Sequence, residues 1–291
     1  MMSEVKEIKF FNSFSNSKFE LINKEKKIYL KKIISNPKIK DFEKIQKNNF
    51  FYKTINIKNV KTQNIKIKSF NDLKKKKYFI SEYIEGNTGD LILTNLGYNE
   101  IKLIKNFIEE YFIFLKKNVK WTKLEKKIVI VKLDKIKKKI KIPILMSLFK
   151  KNKKKIINEL SYIKYFPRSF CHGDLTLSNM IITKKEIYLI DFLKTYNEGI
   201  TQDLSKIYQE FILGWSARKL DKQDLLRSET IYQKIIPNNF FKSFSKKFRK
   251  VLKYEILMTL LRIFPYVNKN DKITINWLIK SFNKLNKKNY I

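Results

Sequence analysis

Apolar and polar residues alternate in short runs along the first part of the chain. Turn-forming residues interrupt residues 5–34, and this pattern predicts two or three antiparallel strands. Two more short strands are predicted for NIKIKSF at 64–70 and YFISEYI at 78–84. Residues 36–55 instead repeat apolar positions at helical spacing, with Pro37 near the first turn, and predict a helix.

The periodicity changes after Gly86. Residues 99–117 place isoleucine, phenylalanine and leucine at helical spacing, and similar amphipathic patterns recur over 201–218 and 237–286. Residues 180–192 are the exception, because two short β-rich runs joined by Lys-Lys-Glu predict a hairpin. The chain is therefore predicted to be an α+β protein with two domains, a small β-rich unit over 1–86 and a larger, mainly helical unit over 87–291.

Composition narrows the class of protein. The single cysteine, Cys171, excludes an internal disulfide framework and is typical of a reducing compartment. The chain contains no run of 18 apolar residues, so a membrane span is not predicted. The N-terminus lacks the pattern of a secretory signal. We therefore expect a soluble cytoplasmic protein; its oligomeric state is left open.

The formal net charge is +37, but only five of the 64 basic residues are arginines. Proteins that grip phosphates or read bases favour the planar fork of arginine. A composition that is rich in lysine and poor in arginine instead indicates that most of the basic residues lie on a solvated surface. No specific nucleic-acid partner is expected.

One short segment gathers chemically active side chains. The motif HGDLTLSN at 172–179 contains the only histidine of the chain, and Asp191 ends the second run of the predicted hairpin. Because a hairpin folds back on itself, Asn179 and Asp191 are expected at its base, close to Asp174. Two oxygen donors suit Mg²⁺, which retains water and phosphate ligands, and a third carboxylate can accept a proton from a hydroxyl.

The order HGD, then asparagine, then IDF resembles the aminoglycoside phosphotransferase and choline kinase-like family, which is related to protein kinases. The resemblance is strongest over residues 170–210 and implies a bilobal, protein kinase-like fold. It implies that Asp174 is the catalytic base and that Asn179 and Asp191 bind Mg²⁺. It makes His172 a scaffold of the loop and Asp203, in QDLSK at 202–206, a support beneath it.

The same resemblance assigns ATP-binding roles in the first 86 residues. Lys31, in KKIYLKKI at 26–33, matches the lysine that holds the α- and β-phosphates, with Lys32 as the alternative. Glu43 would be its ion-pair partner. The phosphate-covering loop would use Ser15 and Asn16, and backbone groups from Glu82 to Ile84 would meet adenine.

The function expected from this resemblance is an ATP- and Mg²⁺-dependent kinase that phosphorylates a hydroxyl of a small metabolite, such as a sugar, amino alcohol or polyol. Residues 189–216 also resemble phosphotransferases associated with bacterial surface-polysaccharide synthesis. The alternative is a non-catalytic, kinase-like protein that binds nucleic acid or an acidic partner through its basic surface. A protein kinase is a third possibility, although the chain lacks the DFG-type glycine after Asp191-Phe192.

Overall fold

Strands are concentrated at the start of the chain in the computed structural model, which describes residues 18–24, 27–35, 39–62, 66–69, 76–237 and 239–286. The strands are β1 (Lys18–Lys24), β2 (Lys27–Ser35), β3 (Val60–Thr62), β4 (Lys66–Ser69), β5 (Lys76–Glu82), β6 (Asn87–Thr88), β7 (Lys120–Lys123), β8 (Tyr165–Arg168), β9 (Met180–Ile182) and β10 (Ile187–Leu189).

One helix lies among the first strands of the described chain, and helices dominate from Tyr98 onward. They are α1 (Ile39–Thr54), α2 (Tyr98–Lys117), α3 (Lys126–Lys137), α4 (Pro143–Tyr162), α5 (Ile200–Ile207), α6 (Lys222–Ile235), α7 (Lys246–Leu261) and α8 (Lys272–Asn286). The predicted small β-rich part and larger helical part are therefore confirmed.

The first sheet has the order β1-β2-β5-β4, and each neighbouring pair is antiparallel. Its strands match the predicted runs at 64–70 and 78–84 and the later part of 5–34; residues 5–17 lie outside the described residues. Helix α1 confirms the helix predicted over 36–55.

A second sheet, of order β3-β10-β9-β6, connects the two halves of the chain. Strands β9 and β10 form the predicted antiparallel hairpin. Strand β3 pairs with β10 in parallel, although it precedes the proposed boundary at residue 86. The hairpin that carries the candidate site is thus fixed from both sides of that boundary.

The large core lies in the helical part, around α2, α5 and α7. Ile104, Tyr111, Leu204 and Leu257 are completely buried there. Helical structure over 201–218 is interrupted at Gly214, whose φ is +70°. Between α7 and α8, a short 3₁₀ turn at Phe264–Tyr266 contains Pro265, which cannot continue a helix.

No helix within the described ranges combines the length and the apolar composition that crossing a bilayer would need.

Candidate active site

The loop between β8 and β9 is shaped by Gly173, which has a φ of +90°. A Cβ atom at this position would overlap the backbone carbonyl oxygen of Leu193. The backbone N–H of Leu193 also donates a 2.9 Å hydrogen bond to the carbonyl of His172. The loop therefore lies directly against the segment that follows Asp191, and only glycine allows this approach.

Asp203 supports the loop from below. Its two carboxylate oxygens accept hydrogen bonds from the backbone N–H groups of His172 (2.6 Å) and Gly173 (2.7 Å) and from the hydroxyl of Tyr111 (2.8 Å). Burial raises the pKa of Asp203 to about 6, although these donors act in the opposite direction. The structure thus places Asp203 as a fixed acceptor under the loop.

His172 is fully buried and holds the loop from within. Its Nε2 lies 2.7 Å from the carbonyl oxygen of Ile190, so this nitrogen carries the proton and donates. Nδ1 then accepts from the backbone N–H of Asp174 at 3.2 Å. Burial lowers the pKa of His172 to about 4, which keeps the ring neutral. Both ring nitrogens are committed to backbone groups, so His172 is a scaffold rather than a base.

Asp174 stands at the mouth of the loop, paired with a buried lysine. Its Oδ1 lies 2.9 Å from Nζ of Lys206, and the two side chains are 36% and 11% exposed. Burial by itself would raise the pKa of Asp174. The charge of Lys206 and its hydrogen bond act against burial and lower this pKa below its usual value. Asp174 is therefore an ionised carboxylate, and part of its surface faces solvent.

Asn179 lies at the base of the hairpin, next to the residue that precedes Asp191. The side-chain amide of Asn179 donates to the backbone carbonyl of Asp174 (2.7 Å) and to its Oδ2 (3.2 Å). The backbone N–H of Ile190, the neighbour of Asp191, donates to the carbonyl of Asn179 at 3.1 Å. Asp174, Asn179 and the end of β10 are therefore brought together.

Asp191 is exposed and has a φ of +55°, a left-handed conformation that costs free energy for most residues. Its carboxylate has no hydrogen bond or ion pair within the described part of the chain. Strained residues of this kind cluster at functional sites.

The side-chain oxygens of Asn179 and Asp191 are ligands of the kind that Mg²⁺ prefers. No group of three or more histidine, cysteine, aspartate or glutamate side chains that could hold a metal occurs among the described residues. Mg²⁺ does not need such a group, because it binds through one or two carboxylates together with phosphate and water oxygens. The carboxylate of Asp191 and the side-chain oxygen of Asn179 would be the protein ligands.

Three residues after α5 also contribute to the shape of the site. A π-helical turn at Tyr208–Ile212 carries Glu210, which is completely buried and accepts from the backbone N–H of Leu177 at 3.3 Å. Tyr208 is buried in the core. Trp215 is half-buried, and the guanidinium of Arg218 stacks 3.6 Å from its ring centre. Glu210 therefore positions the loop, whereas Tyr208 packs against Phe241 and Trp215 against Trp277.

The residues assigned to ATP lie mostly in the first sheet. Nζ of Lys31 pairs with Glu20, directly opposite on β1, at 2.8 Å. Glu82 ends β5 and pairs with Lys27 at 3.6 Å, and Ile84 lies in the extended connection to β6. Ser15 and Asn16 lie outside the described residues. The nucleotide roles of these residues stay predictions.

Helix α1 is tied to the segment after Asp191. Glu43, the residue assigned as the partner of Lys31, forms an ion pair with Lys194 at 2.7 Å. One turn later, Nζ of Lys47 pairs with Glu198 at 2.6 Å and donates to the carbonyl of Leu193 at 3.0 Å. The contact of Glu43 with Lys194 therefore fixes the active-site segment to α1.

Sequence reasoning missed Lys206 and Lys47, because both are single lysines in a lysine-rich chain. Helical spacing from a residue already singled out could have identified each of them. Lys206 follows Asp203 by three residues in a helix, and Lys47 follows Glu43 by four, so each shares a helix face with a residue that was singled out.

Comparison with solved structures places this geometry in a known fold. No protein-family model and no curated protein matches the chain. The aminoglycoside phosphotransferase APH(4)-Ia superimposes with a TM-score of 0.63 at 12% identity, over 97% of this chain and 94% of that one. A thermostable mutant of the same protein, in a ternary complex with ADP and hygromycin B, gives 0.63 at 11% identity over the same shares of the two chains.

A protein assigned as a fructosamine-3-kinase from Haemophilus somnus 129PT gives a TM-score of 0.57 at 14% identity, over 98% of this chain and 92% of that one. The chain therefore has the aminoglycoside phosphotransferase fold, and the predicted bilobal, kinase-like architecture is confirmed.

Proposed function

We propose that this protein is a phosphotransferase that moves the γ-phosphoryl group of ATP to a hydroxyl of a small molecule, with Mg²⁺ as cofactor. The observation that carries the proposal is the position of Asp174. Its ionised carboxylate contacts Lys206 and Asn179 on a loop that His172, Gly173 and Asp203 hold rigid. The overall fold supports the same reaction class, since the solved structures that share it include an aminoglycoside phosphotransferase and a protein assigned as a fructosamine-3-kinase.

Each side chain has a distinct task in this proposal. Asp174 orients the acceptor hydroxyl and takes its proton, because one of its oxygens is paired with Lys206 and part of the carboxylate is open to solvent. Lys206 keeps Asp174 ionised and adds positive charge where the phosphoryl group would pass. Mg²⁺ and ATP, when bound, supply the phosphoryl group and neutralise its charge. Asn179 and Asp191 would hold the metal.

The nucleotide is proposed to bind between the unit over 1–86 and the unit over 87–291. Lys31, or alternatively Lys32, would contact its phosphates, together with Ser15 and Asn16. Glu82 to Ile84 would contact the base. Crystals of the neighbouring phosphotransferase that contain ADP or AMP-PNP together with hygromycin B support binding of a nucleotide and a small acceptor in this fold.

The acceptor is proposed to be a sugar, amino alcohol or polyol, and a role in surface-polysaccharide synthesis follows from the resemblance of residues 189–216. We assign the reaction to the cytoplasm, because ATP is supplied there and because the single cysteine is buried and unpaired.

The test is ADP release over a panel of sugars, amino alcohols and polyols with Mg²⁺. We expect Asp174→Asn to lower turnover by ~10³-fold, since general-base catalysis contributes on this scale. Asp134→Asn, which removes the same charge from a half-exposed site on α3, is the matched control and should retain activity.

Equal turnover by Asp174→Asn would refute the assigned base. No ADP release with any acceptor, together with no binding of Mg²⁺ and ATP, would instead favour the non-catalytic alternative.

A further inference from the structure

Arg218 is one of only five arginines among the 64 basic residues of the chain. Its guanidinium stacks on the indole of Trp215, 3.6 Å from the ring centre. Nη1 donates to the backbone carbonyl of Trp215 at 2.6 Å, and Nε donates to the hydroxyl of Thr274 on α8 at 3.3 Å. The stack and the two hydrogen bonds together fix both the plane and the direction of this guanidinium.

The third nitrogen of this half-buried guanidinium, Nη2, makes no hydrogen bond within the described ranges, and no carboxylate there forms an ion pair with Arg218. Burial lowers the pKa of Arg218, and the carboxylates of Asp271, Glu210 and Asp90 act on it in the opposite direction from a distance. The guanidinium therefore retains N–H donors in one plane, which is the arrangement that binds carboxylates and phosphates in two-point contacts.

Glu210 joins the turn that carries Arg218 to the active-site loop. One oxygen of its buried carboxylate accepts from the backbone N–H of Leu177 at 3.3 Å, on the loop of Asp174. The other oxygen accepts from the backbone N–H of Ser216 at 3.1 Å, two residues before Arg218. The loop and the turn are therefore separated at this point by no more than one carboxylate group and its two hydrogen bonds.

A second connection to this turn starts at the proposed base itself. Nζ of Lys206 lies 2.9 Å from Oδ1 of Asp174 and donates to the side-chain Oε1 of Gln209 at 3.1 Å. The backbone carbonyl of the buried Gln209 accepts from the backbone N–H of Trp215 at 3.2 Å. Two routes that share no residue thus hold Trp215 and Arg218 at a fixed position beside Asp174.

The turn is rigid, and it borders open space. Trp277 packs edge-on against Trp215, with 5.1 Å between the ring centres. Nζ of Lys284 donates to the carbonyl of Ile212 at 2.8 Å and adds a positive charge to this segment. A Cβ atom at Gly214, the residue before Trp215, would have no other atom within 4 Å. The segment therefore has room for a small molecule beside it.

We infer that Arg218 binds an oxyanion group of the acceptor, a carboxylate or a phosphate, while a hydroxyl of the same molecule reaches Asp174. The inference rests on the proposed function and specifies the class of its acceptor, which is a hydroxylated acid or a monophosphorylated sugar or polyol. Arg218 determines specificity in this assignment and takes no part in the transfer itself. An acceptor that carries an amine would meet Arg218 and Lys206, whose like charges repel it.

The kinetic test compares matched acceptors. Each neutral sugar or polyol is assayed for ADP release beside its carboxylic acid, its monophosphate and its amine. We expect the acid or the monophosphate to have the highest kcat/KM, and the better of the two identifies the oxyanion. A higher kcat/KM for the neutral compound or the amine would overturn the inference and leave the phosphotransferase proposal intact.

Substitutions locate the contact. Arg218→Gln should raise the KM of the anionic acceptor by about tenfold or more, the scale of a lost hydrogen bond to a charged group. The KM values for ATP and for the neutral acceptor should change little, which a general disturbance of the fold would not allow. Arg218→Lys retains the charge but loses the planar fork, and it should give an intermediate KM. Unchanged KM values in both variants would contradict the assignment.

Lys219→Gln is the matched control, because it removes the same charge from the adjacent, exposed residue of the same turn. It should leave the KM of the anionic acceptor unchanged. Equal effects of Arg218→Gln and Lys219→Gln would show that overall positive charge, and not Arg218, attracts the acceptor, and would overturn the inference.

A binding measurement separates this inference from the proposed function. Inorganic phosphate and acetate are each titrated into protein saturated with Mg²⁺ and AMP-PNP, whose own phosphates fill the nucleotide positions. The melting temperature is compared with that in chloride at equal ionic strength. Stabilisation that Arg218→Gln removes and Lys219→Gln retains would support the site, whether or not any acceptor is turned over. No stabilisation of the unsubstituted protein would overturn it. Failure of the proposed function would appear separately, as absent AMP-PNP binding and absent ADP release.

Discussion

Nζ of Lys206 lies 2.9 Å from Oδ1 of Asp174, although the two residues are 32 positions apart in the chain. Lys206 also donates to Oε1 of Gln209 at 3.1 Å, which leaves the ammonium little freedom to move. The pair joins the loop after β8 to α5. A fixed cation beside the proposed base is suited to stabilise charge that develops during phosphoryl transfer.

Lys206→Gln tests that role. We expect kcat to fall by ~10²-fold, the scale on which loss of one preorganised electrostatic contact lowers turnover, while the KM for ATP changes little. Steady-state ADP release measures both constants. Lys219→Gln removes a charge from an exposed position beyond the same helix and should behave as the unsubstituted protein. Unchanged kcat in Lys206→Gln would show that the ion pair is only structural.

Gly173→Ala should destabilise the protein and abolish turnover. The left-handed φ and the overlap with the Leu193 carbonyl both oppose a side chain here, and we expect a loss of about 2–4 kcal/mol in the free energy of unfolding. Gly214 provides a matched control, because its φ is +70° but a Cβ atom there would have no other atom within 4 Å. Gly214→Ala should cost only about 1–2 kcal/mol, from backbone strain alone. Urea unfolding of both variants distinguishes the two effects.

Asp203→Ala should be more damaging than removal of one of its partners. The substitution leaves the buried N–H groups of His172 and Gly173 and the hydroxyl of Tyr111 without their acceptor, at about 3–5 kcal/mol in the free energy of unfolding. Tyr111→Phe removes one of the three hydrogen bonds to Asp203 and a longer one, of 3.2 Å, from the N–H of His172, which keeps Asp203 as its acceptor. This variant should cost about 1 kcal/mol. Similar unfolding free energies for the two variants would contradict the view that Asp203 supports the loop backbone.

The sequence allowed the elements with strong local patterns to be predicted, and it allowed the loop chemistry to be proposed. Helix α2 follows from apolar residues at a clear helical period, and the β9–β10 hairpin follows from two short β-rich runs. The pairing of β3 with β10 was not predicted, because a three-residue strand has no period and its partner lies more than a hundred residues away. Long-range pairs such as Lys206 with Asp174 depend on the tertiary fold. In a chain with so many lysines, the sequence does not distinguish the one lysine that pairs with the proposed base.

The assignment of Glu43 shows a further reason for incomplete prediction. The resemblance pairs this glutamate with Lys31, while the structure pairs it with Lys194 after the active-site loop. Residue spacing shows which positions share a face of α1, but it does not show which distant segment that face meets. The neighbouring pair of Lys47 and Glu198 adds a second contact of the same kind and fixes which segment α1 faces.

The last prediction concerns pH and the buried carboxyl of Glu255. Its pKa is raised by burial from 4.5 to about 8 in the folded protein, so the unfolded chain binds fewer protons than the folded one between these values. The contribution of Glu255 to stability is fully present below pH 4.5 and is lost as the pH rises through 8. Asp203, with a pKa of about 6, acts in the same direction at lower pH, whereas His172, with a pKa lowered from 6.5 to about 4, acts in the opposite one.

Between pH 6.5 and pH 8 Glu255 is therefore the dominant of these three groups. We expect the free energy of unfolding to fall by ~2 kcal/mol over that interval, since each pKa unit corresponds to about 1.4 kcal/mol. Glu255→Gln keeps a hydrogen-bonding side chain beside Tyr196 and should flatten the profile, while the exposed Glu229→Gln should leave the slope as it is. Urea unfolding at several pH values measures the slope. An equally steep slope in Glu255→Gln would mean that Glu255 is already ionised in the folded protein and does not set the profile.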